Sequence, residues 1–111
     1  MPQYAIEHND RRGVVTLAGD LTAALVPGLQ SALKGVLSQG ADELVFDLAQ
    51  AAMLDSSGMG LLIAASNSLA RNGGRIRVIN VSADILRLLQ SMRLAGRLNA
   101  SGRPDAEVRH G

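Results

Sequence analysis

The run Met53-Leu54-Asp55-Ser56-Ser57-Gly58-Met59-Gly60 constrains this chain more than any other stretch, because it carries an apolar strand-like segment into a long apolar helix through a few small or polar residues. Asp55, Ser56 and Ser57 are all good helix N-caps, since a short side-chain oxygen accepts from the free N–H groups of a first turn. The plain reading is a capped helix. Two details add a functional one. Gly58 and Gly60 fall in the first turns, where each costs about 1 kcal/mol relative to Ala, and such glycines mark a close approach of backbone or partner. A serine hydroxyl at the positive end of a helix dipole is also an accessible phosphoryl acceptor, and the local N–H groups are placed to hold the phosphate.

Around this run the chain alternates strand-like and helix-like segments. Residues 4–7 and 14–18 read as strands joined by Asn9-Asp10-Arg11-Arg12-Gly13, a segment of hairpin length in which Arg11 and Arg12 form a solvated turn. Both strands mix apolar and polar positions, as in a sheet covered unequally on its two faces. Leu25, Leu29, Leu33, Val36 and Leu37 form one helical stripe, with Pro27 tolerable in the first turn and Gln39-Gly40 closing the helix. Residues 44–48 make a compact apolar strand interrupted by Asp47. In the helix after Ser57, Met59, Leu62, Ile63 and Leu69 share one side, while Gly60, Ala64, Asn67 and Arg71 share another, open either to solvent or to a partner. Asn72-Gly73-Gly74 ends it. Residues 75–80 alternate as a half-exposed strand, and Ser82 caps a third helix carrying Ile85, Leu86, Leu88, Leu89 and Met92, ending near Ala95-Gly96.

Strand, strand, helix, strand, helix, strand, helix is the order of an α/β domain, with a mixed sheet, crossover connections and helices packed mainly on one face. The expected domain is single and spans 1–111, with an ordered core of about 4–98 and a mobile tail at 100–111. Working loops of such sheets lie at the carboxyl ends of strands, which is where Asp55 to Gly58 falls.

Composition removes several function classes. With 11 basic and 10 acidic residues there is no electrostatic case for nucleic acid or an anionic membrane. Cysteine is absent, and the two histidines, His8 and His110, lie near opposite ends, so no zinc site, thiolate chemistry or Ser-His-Asp triad is expected. Neither catalysis, a metal nor a cofactor is expected. No charged-then-apolar leader or membrane span is visible, so the expected location is the cytoplasm.

The run Leu54-Asp55-Ser56-Ser57-Gly58-Met59-Gly60 resembles the D-S-[ST]-G-[LM]-G signature of STAS domains of the bacterial anti-sigma-factor antagonist family. Gly19-Asp20-Leu21 resembles the family's G-E-[LI], Val45-Phe46-Asp47-Leu48 its third strand, and Gly73-Gly74-Arg75-Ile76-Arg77-Val78-Ile79-Asn80 its GG turn and fourth strand. Residues 82–98 resemble its S-P-x-x-x-x-L-x-x-x-G-L segment. The resemblance implies a monomeric switch that binds an anti-sigma factor serine kinase when unphosphorylated, frees the sigma factor, and lets go when Ser56 is phosphorylated, with a serine phosphatase resetting it. It implies partner contacts at Asp55, Ser57, Gly58, Gly60, Ala64 and Asn67. Thr22 departs from the Asp that the family commonly has there. A STAS subunit of a phospholipid ABC transport assembly, docking constitutively through the same helix face, is the alternative.

Overall fold

The computed structural model describes residues 3–103. Its elements are β1 (Tyr4–Asn9), β2 (Arg12–Leu17), α1 (Val26–Ser38), β3 (Glu43–Asp47), α2 (Ser56–Arg71), β4 (Arg75–Val81), α3 (Ala83–Ser91) and β5 (Ala100–Gly102). The five strands form one sheet in the order β1-β2-β3-β4-β5, with β1 antiparallel to β2 and every other neighbouring pair parallel. Each parallel step needs a crossover, and each crossover here is one of the three helices. Because all three steps move the same way across the sheet, a common crossover hand lays all three helices on the same face.

Side-chain burial follows from that layering. Gly13, Val15 and Leu17 on β2, Leu44 and Phe46 on β3, and Ile76 and Val78 on β4 are buried beneath the helices. Their alternate neighbours Arg12, Thr16, Arg75 and Arg77 are exposed on the other face, as the two-residue period of a strand requires. The helices close the core with Leu29 and Leu33 of α1, Leu62 and Leu69 of α2, and Ile85 and Leu89 of α3. Phe46, the single phenylalanine, is fully buried among these aliphatic side chains.

Several local expectations shift. Asn9 pairs with Arg12, so the hairpin turn is the two residues Asp10 and Arg11, with Asp10 at φ 56°, a conformation short polar side chains tolerate. Arg12 therefore belongs to β2 rather than to the turn, and its Nε donates to Glu43 Oε1 at 2.8 Å. The third helix stops at Ser91, short of residues 95–96, because Arg93 adopts φ 59°; Leu88 and Met92, expected on its apolar stripe, are 37% and 49% exposed. Residues 100–102, expected in a mobile tail, form β5 along the edge of β4, with a register irregularity between Val78 and Val81. The remainder of that expected tail, 104–111, lies outside the described residues. Among the described residues, no helix is long and apolar enough to cross a membrane.

Candidate functional site

Parallel strands deliver their following loops to one edge of the sheet, so the β2–α1 and β3–α2 loops emerge side by side. They are joined by backbone: Leu21 and Leu54 form an isolated parallel bridge, Leu21 N–H donates to Met53 O at 3.2 Å, and Asp55 N–H donates to Leu21 O at 3.3 Å. Two carboxylates, one from each loop, complete the join. Asp20 Oδ1 accepts from the N–H groups of Ala52 and Met53 at 2.7 and 3.0 Å. Asp55 reaches the opposite way, its Oδ2 accepting from Ala23 N–H at 2.9 Å.

Asp55 is also the N-cap of α2. Its extended backbone, at φ −93° and ψ −179°, turns the side chain back so that Oδ1 accepts from Gly58 N–H at 2.8 Å. The Gly58 N–H most strongly, then the Ala23 N–H and, more weakly, the Ser57 N–H hold the Asp55 carboxyl below its ordinary range, against an opposing effect of desolvation. An ionised carboxylate accepting several N–H donors is the physical cause. Of the three candidate caps, Asp55 is therefore the one used, which frees both serines.

Ser56 and Ser57 are the first two residues of α2, both exposed. Their hydroxyls stand at the positive end of a 16-residue helix. The expectation that local N–H groups would cradle a phosphate needs correction at Gly58, because Asp55 already occupies that donor.

Gly58 is the second correction. Expected on the partner surface, it is buried, and a Cβ there would lie 2.4 Å from Leu21 O and 2.8 Å from Leu21 Cγ. The close approach it permits is to the β2–α1 loop of its own chain. Gly60, one half-turn on, is the opposite case: it is exposed, and a Cβ there meets nothing within 4 Å. Ala64 is exposed and lines a shallow groove between α1 and α2 with Gln30, Lys34 and Leu37. Asn67 is exposed, and its Oδ1 accepts from Arg97 Nη2. Ser56, Ser57, Gly60, Ala64 and Asn67 thus form an accessible band from the start of α2 to beyond its middle, with Asp55 beneath its near end.

Sequence reading did not find three features of this region. Asp20 braces the loop before the switch; its place after Gly19 at a strand end signals a turn-forming acid, but not a partner 32 residues away. Met53, beside Asp55, is 53% exposed. Thr22 lines an open cleft of about 520 Å³ with Gln3, Gly19, Asp20 and Gln50. Among the described residues, no group of three or more His, Cys, Asp or Glu side chains is placed to hold a metal ion.

Residues 3–102 match the STAS domain family model. The anti-sigma-B factor antagonist of Bacillus subtilis (strain 168) is 25% identical over 103 residues, covering 93% of this chain and 94% of the relative. The anti-sigma-B factor antagonist of Staphylococcus epidermidis is 30% identical over 74 residues, 67% of this chain and 68% of the relative. Among solved structures, the anti-sigma factor antagonist SpoIIAA in its unphosphorylated form superposes with a TM-score of 0.78 at 21% identity, covering 96% of this chain and 95% of that one.

Proposed function

The chain belongs to the STAS domain family, among the bacterial anti-sigma-factor antagonists, and from that premise we propose that it is a phosphorylation-controlled regulator working in the cytoplasm by exchange of partners. Unphosphorylated, it binds an anti-sigma factor with serine kinase activity through the α2 band, and the sigma factor is freed. Phosphorylation of Ser56 ends that binding, and a serine phosphatase restores it.

The observation that carries this reading is the exposed Ser56 at the first position of α2, directly after a cap residue that is held from both sides. A phosphate there adds about −1.5 to −2 charges and three strong acceptor oxygens. At a helix N-terminus that charge is tolerated by the fold. With Gly58 N–H already taken by Asp55, it is presented outward, into whatever surface is docked on Ser57, Gly60 and Ala64. Like charge from a nucleotide in the partner would repel it, and the result is release without unfolding.

The test is incubation with the cognate kinase and ATP, followed by mass spectrometry and a binding measurement. One phosphate on Ser56 is expected, lost in Ser56→Ala, which stays folded and still binds. Phosphate on Ser57 would move the acceptor site by one residue. Binding that persists with no phosphate on either serine would refute the switch and leave a constitutive docking module, as in a transport assembly.

A further inference from the structure

The three helices cover one face of the sheet, and among the described residues nothing covers the other. Strand register defines that open face in rungs. One rung runs Glu7, Val14, Val45, Arg77 from β1 to β4, since Glu7 pairs with Val14, Val14 with Val45, and Val45 with Arg77. The rung toward the hairpin end is Asn9, Arg12, Glu43, Arg75, and the rung toward the switch end is Ala5, Thr16, Asp47, Ile79. The centre is apolar or small. Charges stand at its margins.

Their arrangement is not symmetric within one copy. Arg12 and Arg75 both donate to Glu43, at 2.8 and 3.3 Å, and Asp47 accepts from Asn80 at 3.1 Å. Glu7 and Arg77 are exposed, and neither makes an ion pair among the described residues. They lie at opposite ends of one rung, three strand spacings or roughly 14 Å apart, too far to meet within the chain.

We propose that this open face pairs with the same face of a second copy. A two-fold axis between the copies, parallel to the strands and midway between β2 and β3, turns one sheet over onto the other and reverses its left-right order. β1 then lies over the other copy's β4, and β2 over its β3. Each rung becomes complementary to itself: Glu7 meets Arg77 twice, Arg12 meets Glu43 twice, Thr16 meets Asp47, and Val14 covers Val45. Closed two-fold pairing of one surface with itself is the commonest route to a homodimer, and aligned face-to-face sheets pack within about 30° of each other. The face carries three acids (Glu7, Glu43, Asp47) and three bases (Arg12, Arg75, Arg77), so bringing two together leaves no net charge between them.

Size sets the strength. Four strands by three rungs span roughly 20 Å by 20 Å, so two copies bury on the order of 800 Å² in total, below the roughly 1,200 Å² at which standard interfaces begin. Val45 is already 5% exposed, so the apolar gain comes mainly from Val14 and Ile79. The dimer is therefore a weak one, forming above micromolar concentration, and charge order rather than area decides its register. The switch loops lie at one edge of the sheet and α2 on the helix face, so both copies keep their α2 bands accessible.

Sedimentation velocity on the full chain, from about 10 µM to about 1 mM, tests this with Glu7→Arg and Arg77→Glu. Each variant alone places like charges at both ends of the rung and should weaken self-association about fivefold or more. An equimolar mixture of the two should recover it as a heterodimer, and so should the double variant, because opposite charges again face each other. Both positions are exposed, so thermal midpoints report whether folding is intact. A wild-type chain that stays monomeric at about 1 mM overturns the proposal, as does association indifferent to either single change, or a mixture that fails to recover.

Discussion

Gly58 and Gly60 are the same residue type, two positions apart on one helix, and substitution by alanine should move stability in opposite directions. At Gly58 the new methyl would lie 2.4 Å from Leu21 O and 3.0 Å from Leu54 Cδ1, and the backbone it strikes is pinned by the Leu21–Leu54 bridge. Overpacking against a fixed neighbour costs about 3 kcal/mol. Improved helix propensity returns somewhat under 1 kcal/mol of that, leaving a net loss of about 2 kcal/mol. At Gly60 nothing stands within 4 Å of the added carbon, so propensity acts alone and the gain is about 0.5–1 kcal/mol. For a 111-residue chain the unfolding entropy makes 1 kcal/mol worth about 4 °C. Gly58→Ala should therefore melt about 8 °C below wild type and Gly60→Ala about 2–4 °C above it, with urea midpoints at 25 °C moving in the same senses. Equal shifts in the two variants would refute the argument that the β2–α1 loop, and not the helix, dictates Gly58. If Gly60→Ala melts higher yet binds the kinase partner less well, the docked surfaces touch at that position.

Three further outcomes follow from the same geometry. Ala64→Arg should leave the melting midpoint nearly unchanged, since the site is exposed and Lys34 across the groove adds only a small repulsion, while kinase binding falls at least tenfold; an unfolded variant would place Ala64 in the core. Asp55 has its carboxyl held below the ordinary value, by Gly58 N–H first, so its stabilising effect is complete above the unfolded aspartate range near pH 3.9 and is lost as pH falls through the lower folded value. Asp55→Asn keeps one acceptor oxygen for the cap but turns an NH₂ toward Ala23 N–H, so it should be less stable than wild type at neutral pH and lose less on acidification; denaturation curves that stay parallel from pH 7 to about pH 3 would exclude Asp55 as the titrating group.

How much of this was legible in the sequence depended on range. Helical stripes such as Leu25, Leu29, Leu33 and the strand alternation at Arg75 to Val78 are local periodicities, and they placed the α/β order, the mixed sheet and Ser56 at the start of α2 correctly. β5 was not legible, because Ala100, Ser101 and Gly102 carry no apolar period and pair through backbone with an edge supplied by β4. The roles of the two glycines were equally hidden: what separates Gly58 from Gly60 is the passage of Leu21 beneath one of them. Leu88 and Met92 misled for a related reason. Their spacing fits a helical stripe, but the buried positions of α3 are Ile85 and Leu89, and Met92 falls beyond its last residue, Ser91.

The join between the two loops also has a kinetic side. Ala23, Ala52, Met53 and Gly58 donate their amide hydrogens to just two carboxylates, Asp20 and Asp55, which lie on different loops. None of these four amides is held by the regular ladder of a helix or sheet, and release of one loop from the other strips the acceptors from Ala23, Ala52 and Met53, which then exchange with solvent deuterium. Ala23, Ala52 and Met53, whose acceptors lie on the opposite loop, should then share one opening rate, distinct from that of the core strands, whereas Gly58 keeps its acceptor within its own loop. A change at the start of α2 is felt by that arrangement at the start of α1, across a sequence distance of 32 residues, and the segment that carries Ser56 is one that opens and closes together with its neighbour.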